Sequence, residues 1–248
     1  LDGPTMGGLL RDAGYCTAII GKTHFVARFL EEQHVAGEPD PRIEKPDPEP
    51  GFWHEFDGPY LGFDFVRHCQ SHTSDRLPNA HYRAWLEDKG LNLDHLHSEK
   101  AYRSAKTVRE VYRYGRWEID PELTQTAWIT EQSIDWIREQ HAAGRPWMCW
   151  VSHQDPHPPY VCPEPYYSAV DMTGVDLGGR REGEWNDKPP LYHRFADGGE
   201  WGDSAAEEFL DPDCPSKNIP AHSDYGWVKK PAEAIRAYIG MCNMVDEH

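Results

Sequence analysis

Three side chains in two short segments carry chemistry suited to holding and protonating an anion. The first segment is Gly14-Tyr15-Cys16-Thr17-Ala18-Ile19-Ile20-Gly21-Lys22-Thr23-His24-Phe25. The second is Val151-Ser152-His153-Gln154-Asp155-Pro156-His157-Pro158-Pro159-Tyr160. Lys22 offers a compact positive charge whose ammonium donors suit the oxygens of a sulfate or phosphate group. His24, two residues on, and His157 carry imidazoles that can accept or give a proton. Pro156, Pro158 and Pro159 fix the backbone around His157 and remove donors, so a stiff loop presents the imidazole. His153 and Asp155 are candidates for support behind it, and Asp155 also suits a simple Asx-turn.

Both segments have the same local organisation. A helix stops at a glycine, a short apolar run follows, and the chain then breaks into the loop that carries the reactive side chains. Thr5 to Ala13 reads as a short helix ended by Gly14. Cys16 to Ile20 is apolar and β-branched and reads as a buried strand bounded by Gly21. Pro121 to Ala143 reads as the longest helix, with Asp120 as N-cap and Pro121 at its first position. Its apolar period runs through Leu123, Ala127, Ile134 and Ile137. Gly144 ends it, and Trp147 to Val151 reads as a second buried strand. In open α/β sheets ligands bind just beyond the carboxyl ends of the strands. Lys22, His24 and His157 are therefore expected to meet in one pocket for a tetrahedral anion.

Elsewhere the pattern is coarser. Phe63 to Val66 is a candidate strand, and Ala80 to Asp88 is helical up to Gly90. Pro231 to Val245 is helical, with Ile235, Tyr238, Ile239, Cys242 and Val245 on one face. Residues 39–50, packed with Pro, Asp and Glu, form a surface loop. Residues 171–230 lose periodicity and read as an irregular insertion or lid over the substrate site. The alternation of helices and strands places the chain in the α/β class.

The two segments resemble the sulfatase family of the alkaline-phosphatase-like hydrolases. That family carries Gly-Tyr-x-Thr-x-x-x-Gly-Lys-x-His and later Pro-His-x-Pro-Tyr, in this order. Leu61-Gly62-Phe63-Asp64, Arg145-Pro146-Trp147 and the helix ending at Val245-Asp246 are weaker matches, so the likeness is scattered over nearly the whole chain. Thr23 departs from the pattern, where an aromatic is common. The resemblance implies an alkaline-phosphatase-like sheet with flanking helices, present here as part of a catalytic domain. It implies that Lys22 binds the sulfate, and that His24 orients the nucleophile or acts as base when the covalent intermediate collapses. It implies that His157 contacts the leaving ester oxygen and protonates it.

The same resemblance implies a formylglycine nucleophile and a Ca²⁺ ion, whose motifs are not found in this sequence. Cys162-Pro163-Glu164-Pro165-Tyr166 and Cys214-Pro215-Ser216-Lys217-Asn218 lack the family's proline and arginine positions, and Ser223-Asp224-Tyr225-Gly226 reads as a plain turn. No metal ligand is assigned. The chain starts at Leu1 and stops at His248 in or just after a helix, so the expectation is an internal piece of a longer enzyme that has no turnover alone. His68, His72, His81, His95 and His97 lack zinc-like spacing and read as solvent-facing or core polar residues.

Composition bounds the partners. A formal net charge of −17 argues against nucleic acid, whose binding rests on cationic contacts to phosphate, and against large polyanions. A small sulfate ester in a locally positive pocket is the expected substrate. The near alternative is a phosphonate or phosphate ester of the same superfamily, and the distant one a non-catalytic, aromatic-rich acidic module. The six cysteines form no C-x-x-C pair, and their spacing leaves disulfides open. No stretch is apolar enough for a membrane span, and the sequence leaves compartment and oligomeric state open.

Overall fold

The computed structural model describes residues 4–23, 51–69, 80–93, 102–106, 113–176, 187 and 231–248. His24, His72, His95, His97, the 39–50 loop and nearly all of 177–230 lie outside the described residues. The chain divides into two compact units. One holds residues 1–102, 118–157 and 242–248, and the other holds 103–117 and 158–241.

In the first unit, Thr5 caps helix α1 (Met6–Asp12) by accepting from the Gly8 N–H, and Gly14, at φ 90°, ends the turn that follows. Strand β1 (Cys16–Lys22) comes next. It runs through Gly21 rather than ending there, because a glycine at φ 110° continues the strand where a side chain would be strained. A short helix α2 (Phe52–Glu55) precedes strand β2 (Phe65–Cys69), which starts two residues later than the pattern placed it. Phe63 is instead held in a tight turn by backbone pairing with Tyr60. Helix α3 (Ala80–Asp88) has the bounds expected from its pattern.

The long helix is split. Asp120 caps a 3₁₀ turn (Pro121–Leu123), while Thr124 caps helix α4 (Gln125–Ala142) by accepting from the Ala127 N–H. Two successive side-chain caps satisfy two sets of orphan donors, so Asp120 is not the N-cap of the long helix. Its buried face runs through Ile129, Ser133, Trp136 and Gln140, and Ile134 is exposed. Two tryptophans, with Ile129, outweigh the smaller apolar residues that set the sequence period. Strand β5 (Trp147–Ser152) completes a three-stranded parallel sheet in the order β2-β1-β5. This strand is not buried as expected, since Trp147, Trp150 and Val151 on the sheet edge are each 38% exposed.

Two apolar clusters flank this sheet. Ala18 and Ile20 face Trp128, Ile129, Trp136, Tyr82 and Leu86, and Ile19 faces Tyr60, Phe63 and Val66. The period-2 alternation of β1 thus feeds both faces of a central strand. Each such large side chain removed from water contributes about 1.5–3 kcal/mol.

In the second unit, strands β3 (Tyr102–Lys106), β4 (Arg113–Trp117) and β6 (Tyr160–Pro163) form a sheet in the order β3-β4-β6, with β4 and β6 parallel. Helix α5 (Tyr166–Ala169) follows. Residues 231–241 of helix α6 (Pro231–Glu247) belong to this unit; Ala234, Ala237 and Met241 are buried there, whereas Tyr238 is 44% exposed. The buried face thus combines alanines with methionine and is not the stripe containing Tyr238. At Gly240 an added Cβ would lie 2.7 Å from the Cys162 sulfur and 2.9 Å from the Tyr166 carbonyl oxygen.

Candidate active site

Parallel pairing fixes where the reactive loops begin. Lys22, the last residue of β1, pairs with Cys69 at the end of β2, and Gly21 pairs with Ser152 at the end of β5. The loop bearing His153, Asp155 and His157 therefore leaves the strand beside Lys22 at the same edge of the sheet. This close fit depends on Gly21, where an added Cβ would sit 2.1 Å from the Ser152 carbonyl oxygen.

Lys22 and Asp155 both act on the buried thiol of Cys69. Burial pushes that thiol far above its usual range, the Lys22 charge pulls it down, and the Asp155 charge pushes it up. Asp155 itself is held up at about 6 by burial, against a hydrogen bond from the Thr126 hydroxyl that favours its ionised form. A carboxyl in that range, at a sheet edge, can exchange a proton near neutrality. His157 is exposed, and its backbone N–H donates to the Gln154 carbonyl at 3.0 Å, closing the turn that carries the imidazole. His153 is half-buried; burial and the charge of His248 lower its pKa, and its Nδ1 has no hydrogen-bond partner among the described residues. Lys22 and His157 thus start from neighbouring strands at one edge, and His24 follows Thr23 outside the described residues.

Several supporting residues were not legible as such. Thr17, the threonine of the first segment, accepts from the Asp64 N–H at 3.1 Å and reaches Gly62 O and Asp64 Oδ2 at 3.2 and 3.1 Å. It joins the first segment to the Leu61-Gly62-Phe63-Asp64 turn. Thr126 belongs to the first turn of α4 and gave no sequence signal beyond its place after a cap. His68 and His81 are core polar residues, at 1% and 5% exposure. His68 Nδ1 lies 2.9 Å from the Thr23 hydroxyl, and its backbone N–H donates to His81 Nδ1 at 2.8 Å. His81 Nε2 in turn donates to the Phe56 carbonyl at 2.5 Å. Among the described residues no group of three or more His, Cys, Asp or Glu side chains could hold a metal ion, so these residues do not fit a Ca²⁺ site. The described cysteines Cys16, Cys69, Cys149, Cys162 and Cys242 are not joined in disulfides. No helix among the described residues is long and apolar enough to cross a membrane.

The family model described as Sulfatase matches residues 2–247. The chain belongs to the sulfatase family. It is 25% identical over 191 residues to the uncharacterized sulfatase YidJ of Escherichia coli (strain K12), a match covering 77% of this chain and 30% of that protein. Its fold is similar to that of the phosphonate monoester hydrolase of Agrobacterium radiobacter, with a TM-score of 0.52 and 20% identity over 98% of this chain and 41% of the other. This sulfatase-family chain therefore has the alkaline-phosphatase-like α/β fold and spans well under half the length of either relative.

Proposed function

We propose that the chain supplies the anion-binding and leaving-group side of a sulfuric ester hydrolase. The observation that carries this reading is the placement of Lys22 at the carboxyl end of the central strand, directly beside the loop bearing His157. In this reading Lys22 neutralises negative charge that builds on the transferred group, the main electrostatic demand of such chemistry. His157 protonates the departing alcohol oxygen. His24 takes a proton as the transferred group is released. Asp155, whose charge acts on Cys69 in opposition to that of Lys22, balances the local charge.

A formylglycine nucleophile and Ca²⁺ would come from segments outside this chain, and no step here is drawn through them. The exposed edge of β5, with Trp147, Trp150 and Val151, supports a sheet that continues in the longer protein. The chain by itself is expected to be inactive. A small sulfate ester is the proposed substrate. The phosphonate monoester hydrolase among the structural relatives gives reason to test a second ester class.

The test is to assay the longer protein with an aryl sulfate and an aryl phosphonate monoester, alongside Lys22→Ala. The expected loss in kcat/KM is roughly 10²–10³-fold, with an unchanged Tm. A wild-type protein that hydrolyses neither ester, or a Lys22→Ala variant with full activity, would overturn the reading. Faster turnover of the phosphonate would move the assignment to the second class.

A further inference from the structure

The buried contact between Thr23 and His68 has no part in the chemistry above, yet it sits immediately after Lys22. Thr23 is 2% exposed and His68 1% exposed. Their hydrogen bond belongs to a set of linked contacts: the Thr23 hydroxyl meets the His68 ring, the His68 backbone N–H donates to the His81 ring, and that ring meets the Phe56 carbonyl. The Trp53 ring packs against both imidazoles, at centroid distances of 5.8 and 4.9 Å.

The geometry fixes the protons in this set. His81 accepts at Nδ1 from the His68 backbone N–H, so its single proton is on Nε2, where it donates to Phe56. Burial lowers His68 to about 3 and His81 to about 4, so both rings are neutral near pH 7. His68 Nε2 is buried with no hydrogen-bond partner among the described residues. A buried N–H without an acceptor is rarer than an under-used lone pair. The proton of His68 therefore belongs on Nδ1, donated to the Thr23 oxygen.

We propose that Thr23 is a positioning residue: the His68 ring, whose backbone His81 holds, clamps its hydroxyl and so fixes the backbone from which Lys22 reaches the anion. The proposal rests on the reading of Lys22 as the anion-binding side chain. It gives Thr23, where the family commonly has an aromatic, a polar role that an aromatic ring could not fill in the same way. A flexible four-carbon ammonium loses rate when its anchor drifts, because catalysis falls steeply with misplacement.

The test compares Thr23→Val, which keeps the shape and removes the hydroxyl, with Thr23→Ser, which keeps the hydroxyl, in the longer protein. Thr23→Val is expected to lower kcat roughly tenfold or more, with a smaller change in KM. Amide hydrogen exchange in peptides containing Lys22 and Thr23 should rise without a matching fall in Tm. Thr23→Ser should restore both. Where Thr23→Val does not fold, Thr23→Ala against Thr23→Ser makes the same comparison. Wild-type kcat and exchange in the valine variant would overturn the proposal, as would a serine variant as impaired as the valine one. If the wild-type protein hydrolyses neither ester, the reading of the site fails, and the exchange data alone decide the clamp.

Discussion

The Thr126 hydroxyl donates to the Asp155 carboxylate at 2.7 Å, tying the first turn of α4 to the loop that carries His157. Burial still wins over that bond and raises Asp155 to about 6, above the roughly 3.9 of an unfolded aspartate. Between these values the folded chain binds the extra proton. The contribution of Asp155 to stability is thus complete below about pH 4 and is lost as pH rises through about 6. The loss is on the order of 2–3 kcal/mol. Asp155→Asn keeps the neutral shape, so the stability gap between wild type and variant should shift by this amount from pH 4 to 7 in denaturant titrations. Thr126→Val removes the bond that favours the ionised form and should move the midpoint to higher pH.

His157 is exposed on a stiff turn, a placement suited to meeting a substrate oxygen. As a proton donor to the leaving group it should matter most when that group is a poor one. His157→Asn is expected to lower kcat by roughly 10²–10⁴-fold for alkyl esters. For nitrophenyl esters, whose leaving group needs little protonation, the loss should be much smaller. A plot of log kcat against leaving-group pKa should be steeper for the variant. Equal losses across the series would assign His157 to binding instead.

Gly21 holds β1 against β5 at φ 110°, with the Ser152 carbonyl where its Cβ would be. Gly21→Ala therefore combines backbone strain with a backbone–backbone clash. The expected cost is about 2–5 kcal/mol, read from the shift in the denaturation midpoint. Gly14→Ala, also at positive φ but with no atom within 4 Å of its added Cβ, should cost only the strain. The difference between the two variants isolates the contact that brings the two reactive loops to one edge.

The sequence by itself determined the local features of this protein. Thr5 and Gly14 bound the first helix, Ala80 to Asp88 forms the third, and the apolar runs after Gly14 and Gly144 form the two strands that lead to Lys22 and to His153. These depend on caps, turns and short-range periodicity, which neighbouring residues decide. It also carried the motifs that mark the sulfatase family. Only the tertiary structure decided which faces are buried. Ile134 and Tyr238 fit a helical apolar period, yet lie exposed while Trp136, Ala237 and Met241 are covered. Nor could spacing reveal that Thr17 meets Asp64, that Thr126 meets Asp155, or that Thr23, His68 and His81 form a set of linked contacts. Those contacts join residues from 13 to 47 positions apart. Their partners are chosen by how strands pair and helices pack, which no local pattern specifies.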